Sequence, residues 1–213
     1  MLGREGWRIN HKRVQRVWRN EGLHVPRKRR RPKRAARTPG SITATHPNQI
    51  WALDFVFDQT RDGRPLKILN ITDEYTREAL CCTTRRRITS DIVVTELDRI
   101  TTERGTHPTH IRCDNGPELI AKHLHDWAHH NQIRVHYIEP GAPWQNAYIE
   151  SFNGHLRREH LDLEVFNTLL EAQLLIEDWR HHYNQHRPHQ SLNYQTPAEY
   201  AATCQTTQHT KTP

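Results

Sequence analysis

Apolar residues recur along this chain with two different periods, and the changes of period divide it into elements. Residues 49–58, Gln49-Ile50-Trp51-Ala52-Leu53-Asp54-Phe55-Val56-Phe57-Asp58, read as a strand whose apolar run is broken by one acid. A second run, Leu66 to Ile71, follows across Arg61-Asp62-Gly63, and Asp-Gly between two such runs predicts a hairpin. Glu78 to Thr84 supplies a third strand. The period then lengthens: Val93, Val94, Leu97 and Ile100 predict a helix capped by Ser90 and stopped at Gly105. Thr109 to Cys113 is a fourth strand, and Pro117 opens a helix with Ile120, Leu124, Trp127 and Ala128 as its buried stripe. Ile133, Val135 and Tyr137 alternate as a fifth strand. The Gly and two prolines within Glu139 to Gln145 predict an irregular loop, after which Ile149, Phe152 and Leu156 return to helical spacing. Thr168 and Glu171 suit a capping box ahead of a longer stripe, Ala172, Leu175, Ile176, Trp179 and Tyr183.

Three acids stand out against this pattern. Asp54 interrupts an apolar strand, where an unpaired carboxylate costs several kcal/mol or takes up a proton. It therefore needs a metal, a partner or an exposed strand position. Asp114 follows the fourth strand and precedes Gly116-Pro117, at the carboxyl end of a strand, where open α/β sheets place ligands. Glu150 lies beyond a gap of 35 residues, and Glu150, Asn153, Gly154 and Arg157 share one polar helical face. Asp58 and Asp73 are weaker candidates. The first ends its strand in solvent, and the second pairs with Arg77 or orders a turn.

Charge changes the picture at the amino terminus. The whole chain of 213 residues carries a formal net charge of +7, but residues 1–38 hold fourteen Lys or Arg against two acids. The rest is net acidic, so nucleic-acid affinity is expected in the amino-terminal arm. There a short basic helix begins near Asn10 as N-cap, with Val14, Val17 and Trp18 as its stripe and Lys12, Arg13, Arg16 and Arg19 around it. Arg27 to Arg37 is nearly all cationic and reads as a mobile linker that follows DNA phosphates. Four cysteines without a Cys-x-x-Cys pair suit a reduced cytosolic chain, and seventeen histidines lack the spacing of a structural zinc site. No apolar run has the length of a membrane span, so a soluble protein is expected.

Trp51 and Asp54 on the first strand, Cys113-Asp114-Asn115-Gly116, and Asn146 through Phe152 with Glu150 resemble the DDE integrase core. More narrowly the chain resembles the downstream-frame transposase of the insertion sequence three family, related to retroviral integrases. Leu156-Arg157-Arg158-Glu159, Tyr183 through Leu192, and Thr196-Pro197-Ala198-Glu199 extend the likeness over nearly the whole chain. It implies an α/β, ribonuclease H-like fold, a five-stranded mixed sheet flanked by helices, with a short basic helical amino-terminal arm. The expected organisation is a helix-turn-helix-like remnant over 1–26, lacking its opening, a basic linker over 27–45 and a catalytic core over 46–163. A carboxyl-terminal helix and clasp over 164–202 and a disordered tail over 203–213 complete it.

The resemblance further implies that Asp54, Asp114 and Glu150 are catalytic and hold two Mg2+ or Mn2+ ions, with Asp54 bridging them. Ions about 3.5–4 Å apart clamp the attacking and leaving oxygens of an in-line displacement at phosphorus. Arg157 grips a phosphate, and Asn115, Asn146, Lys12, Arg13 and Arg16 are further DNA-binding candidates. Trp144 either stacks on a base or shields its helix start, and Arg187 either pairs a core acid or touches DNA. The expected substrates are transposon-end and target DNA, bound by a homo-oligomer in the cytoplasm at the nucleoid, with an upstream-frame protein of the same element as a possible partner. A nuclease acting on hybrids fits the basic arm and tail motif less well. A truncated DNA-binding remnant without autonomous transposition is the alternative.

Overall fold

Alternation along the first strand decides which side of the sheet each of its residues serves. In the computed structural model, which describes residues 6–8, 10–23, 42–139 and 143–209, this strand is β1, Ile50–Gln59. Trp51 and Leu53 enter one hydrophobic cluster, with Phe55 packed against it, while Val56 enters a second. Successive side chains of a strand point to opposite faces. Asp54 therefore shares the face of Val56.

The sheet is built outward from β1. β2 (Pro65–Asp73) pairs with it antiparallel and β3 (Ala79–Arg85) pairs antiparallel with β2. β4 (His110–Cys113) and β5 (Arg134–Tyr137) run parallel to β1, giving the order β3-β2-β1-β4-β5. Two helices, α2 (Ser90–Arg104) and α3 (Lys122–His130), bury Val93, Leu97, Leu124 and Trp127 in the cluster around Trp51. On the other face, α4 (Ala147–Leu156) and α5 (Leu169–His186) bury Phe152, Leu156, Ile176, Trp179 and Tyr183 around Val56 and Ile68. This is the ribonuclease H-like arrangement expected.

Thr43–Pro213 forms one compact unit and Met1–Ile42 another. In the latter, α1 (His11–Asn20) starts as expected, the Asn10 side chain accepting from the Lys12 amide at 2.9 Å. Its Val17 and Trp18 are exposed. The expected linker over 27–45 lies outside the described residues up to residue 41.

Several expectations shift. Thr89, not Ser90, is the N-cap of α2, and it makes no side-chain capping bond. Pro117 opens only a turn, closed by the Leu119 and Ile120 amides on the Gly116 carbonyl. Ala121 is extended, and α3 begins after it at Lys122. That interruption resets the helical phase, so Leu119 is fully buried and Ile120 is 53% exposed. The tail expected from residue 203 differs too, because α6 (Pro197–His209) carries residues 203–209 in helix. Asp73 orders a turn without pairing Arg77, accepting from the amides of Asn48, Tyr75 and Thr76. The Thr168–Glu171 capping box is present at the head of α5.

Candidate active site

α4 crosses the face of β1 that carries Asp54, and its polar side meets the acid. Glu150, Asn153, Gly154 and Arg157 line one open cavity of about 380 Å³ together with Asp54, Phe55, Val56 and Phe57. The i, i+3, i+4, i+7 set read from the sequence thus shares one wall. Ile149, Phe152 and Leu156, on the opposite side of α4, are buried and anchor it.

Asp54 is held from two directions. The Phe55 amide donates to its Oδ1 at 2.8 Å, and Asn153 Nδ2 donates to its Oδ2 at 2.7 Å. Asn153 is itself fixed by Asn70, which faces Asp54 across the β1–β2 pair and donates to Asn153 Oδ1 at 2.7 Å. Burial pushes the Asp54 carboxyl up to about 6; the Phe55 amide opposes the rise, and the charges of Asp114 and Glu150 add to it. Asp114 and Glu150 each lie close enough to Asp54 for their charges to act on it.

Asp114 leaves β4 at its carboxyl end, and its Oδ1 accepts from the Gly116 amide at 3.0 Å. A Cβ on Gly116 would meet that same oxygen at 3.0 Å, which suits a residue without a side chain. Glu150 is exposed in the first turn of α4. Among the described residues no three His, Cys, Asp or Glu side chains stand close enough to hold a metal ion as they are. In kind the donor set fits a hard divalent cation, since it offers carboxylate oxygens around a half-buried acid on which Asp114 and Glu150 act as like charges.

The other expected DNA contacts scatter. Arg157 donates to the Phe57 carbonyl at 2.8 Å from the wall of the cavity, in a wide helical turn, Arg157–Leu161, that ends α4. Asn115 is exposed and donates to the Ile138 carbonyl at 3.1 Å, tying β4 to the exit of β5. Asn146 is 2% exposed, so its side chain stands away from solvent at the start of α4. Lys12, Arg13 and Arg16 are exposed on α1, in the amino-terminal unit. The Trp144 side chain lies outside the described residues. Arg187 pairs Glu159, with His155 Nδ1 3.0 Å away. Sequence reading missed Asn70, whose signal was an amide set between Leu69 and Ile71.

This sheet order, with an acid on the central strand, a second at the end of its parallel neighbour and a third on the covering helix, defines an integrase-type catalytic core. Residues 44–143 and 131–197 each match the integrase core domain. The chain is 41% identical over 202 residues to a 31.7 kDa protein of insertion element IS407 from Burkholderia multivorans, an alignment covering 95% of this chain and 73% of that protein. A protein of insertion element IS476 from Xanthomonas euvesicatoria is 42% identical, over 94% of this chain and 58% of its own length. The transposase InsD of IS2D from Escherichia coli is 26% identical over 90% and 66%. The HTLV-2 integrase catalytic core domain, solved in complex with magnesium, superposes with a TM-score of 0.54 at 16% identity, over 74% of this chain and 98% of that one. A simian T-cell lymphotropic virus intasome chain gives 0.61 at 18%, over 74% and 55%. Those likenesses show the fold. The chain belongs to the DDE integrase-core transposases of the insertion sequence three type, polynucleotidyl-transferase enzymes of DNA integration and transposition.

Proposed function

We propose that the chain cleaves the ends of its mobile element and joins the freed 3′-hydroxyl to target DNA, each step an in-line attack at a phosphodiester. The observation that carries this reading is the Asp54 carboxyl, half-buried beneath α4, held by Asn153 and crowded by the charges of Asp114 and Glu150. Like charges around a half-buried acid are costly unless protons or cations neutralise them. Asp54, Asp114 and Glu150 would hold two Mg2+ or Mn2+ ions. Bound there, the ions would polarise the phosphoryl group and ease deprotonation of an attacking water or hydroxyl.

The protein's own contribution is position and charge. Asn153 and the Phe55 amide orient the Asp54 carboxylate, so that little reorganisation is needed when substrate arrives. Arg157, which lines the same cavity, would hold a phosphate near the scissile bond. Lys12, Arg13 and Arg16 would add sequence-independent contacts to the DNA backbone. Asn115 borders the end of β4, and Asn146 would first have to turn out of its buried position to touch DNA. The substrate would be engaged by a homo-oligomer at the nucleoid, with the upstream-frame protein as a further partner, the arm over 1–26 and linker over 27–45 serving the core over 46–163 and its clasp over 164–202. No helix among the described residues is long and apolar enough to cross a membrane.

The test is strand transfer on an oligonucleotide of the element's own end with Mg2+ or Mn2+. Asp54→Asn, Asp114→Asn and Glu150→Gln should each abolish product while salt-sensitive DNA binding survives. The divalent ion should also raise the melting temperature of the wild type more than that of Asp54→Asn. Equal product from wild type and Glu150→Gln would sink the assignment.

A further inference from the structure

Beside the carboxylate cavity lies a second one, also of about 380 Å³, between the ends of β1 and β2, the β3–α2 connection and the turn after Asp114. Phe57 lines both cavities. For a large aromatic on a strand it is unusually open, at 60% exposure. Lys67 Nζ sits 4.0 Å from the Phe55 ring centre and 5.4 Å from that of Phe57, and pairs Glu118 at 2.6 Å. Arg86 is spent on structure, donating to Thr60 Oγ1 at 2.7 Å and to the Arg64 carbonyl at 2.8 Å. Arg87, the next residue, is exposed and makes no hydrogen bond or ion pair among the described residues. Three cations therefore face one carboxylate around an exposed aromatic ring.

We propose that this cavity is a nucleotide subsite in which an unpaired base stacks on Phe57 while Arg87 takes the phosphate beside it. The inference rests on the strand-transfer reading and extends it from the scissile phosphate to its neighbour. An exposed ring flanked by cations is the combination that binds single-stranded nucleic acid without reading its sequence, because every base has a π-face. Continuity through Phe57 puts the subsite next to the reacting bond. The nucleotide would come from the flank of the transposon end or from the target strand, which present the same chemistry.

The full-length chain is titrated, with EDTA present so that no strand is cut, against two fluorescent probes. One carries 2-aminopurine at an unpaired nucleotide flanking the transposon end, the other at an unpaired nucleotide of a target duplex. A change in 2-aminopurine emission on binding is expected with one probe, and identifies the source. Phe57→Ala should remove that change and weaken binding of the same probe on the order of tenfold. Arg87→Ala should lower the slope of log affinity against log salt by about one. Both side chains are exposed, so both variants should melt at the wild-type temperature. Wild-type emission change and salt slope in both variants, or no emission change with either probe, overturns the proposal. Failure of the carboxylate assignment would appear elsewhere, as strand transfer retained by Glu150→Gln, and leaves these binding readouts unaffected.

Discussion

Asn153 links two residues on neighbouring strands, accepting from Asn70 and donating to Asp54. Removing its amide frees the Asp54 carboxylate to rotate without touching any expected metal ligand. Asn153→Ala should therefore lower kcat on the order of 10- to 100-fold, the usual effect of losing a partner that orients a ligand. Strand-transfer kinetics would read it, and an unchanged kcat would deny Asn153 a positioning role. A second buried contact concerns stability. Arg112 on β4 binds both oxygens of Glu74, at 2.6 and 2.8 Å, and burial pushes the Glu74 carboxyl up to about 7 against the pull of Arg112. Arg112→Met strands that carboxyl and should cost about 3–5 kcal/mol in urea unfolding, while adding Glu74→Leu should recover most of the loss. Of the candidate site, Asp54 was legible as an acid inside an apolar run, Asp114 from its place after a strand, and Glu150 and Arg157 from helical spacing. Asn70 was not, because a strand sequence does not say which residue faces it.

Among the elements, the capping box of α5 is the most local device. Thr168 Oγ1 accepts from the Glu171 amide at 3.1 Å, and the Thr168 amide donates to the Glu171 carboxylate at 3.4 Å. Thr168→Ala should cost about 1 kcal/mol, lowering the melting temperature by about 2–4 °C in a unit of this size. No shift on thermal unfolding would mean that packing of Trp179 and Tyr183 alone holds this helix. The box was visible in the sequence because its donor and acceptor are three residues apart. The turn between β4 and α3 was not. The sequence offers Pro117 as a good first helical residue, but the ion pair of Glu118 with Lys67 on β2 and burial of Leu119 hold the segment in a turn. α6 shows the reverse case, because Tyr200 lies against Tyr75, with ring centres 5.7 Å apart, and supports a helix of weak amphipathic pattern.

On the scale of the whole molecule, pH acts through buried and half-buried histidines. Burial lowers the pKa of His189 to about 4, helped by Arg187, and burial likewise lowers His110, His136, His155 and His160. Folded His189 stays neutral where the unfolded chain binds a proton, so between about 6.5 and about 4 stability falls as pH falls. Asp54, raised to about 6, and Glu74, raised to about 7, act with the opposite sign, losing stability as pH rises through those values. A difference measurement isolates the histidine. The melting temperature of wild type relative to His189→Phe should drop between pH 7.5 and pH 4.5, and a constant gap would refute the assignment.

Periodicity by itself determined the strands, most of the helices and the faces they bury, because burying one side of a strand or helix requires period 2 or 3.6 whatever the partner. The basic amino-terminal segment and the three acids were equally explicit, as residue types that an apolar or neutral context makes conspicuous. What only the tertiary structure decided are pairings between distant elements. Asn70 opposite Asp54, Lys67 with Glu118, and one Phe57 ring shared by two cavities arise where β1 and β2 meet α4 on one side and the turn after β4 on the other. Such contacts depend on sheet register and helix placement, to which each residue contributes little, so no local stretch of sequence encodes them.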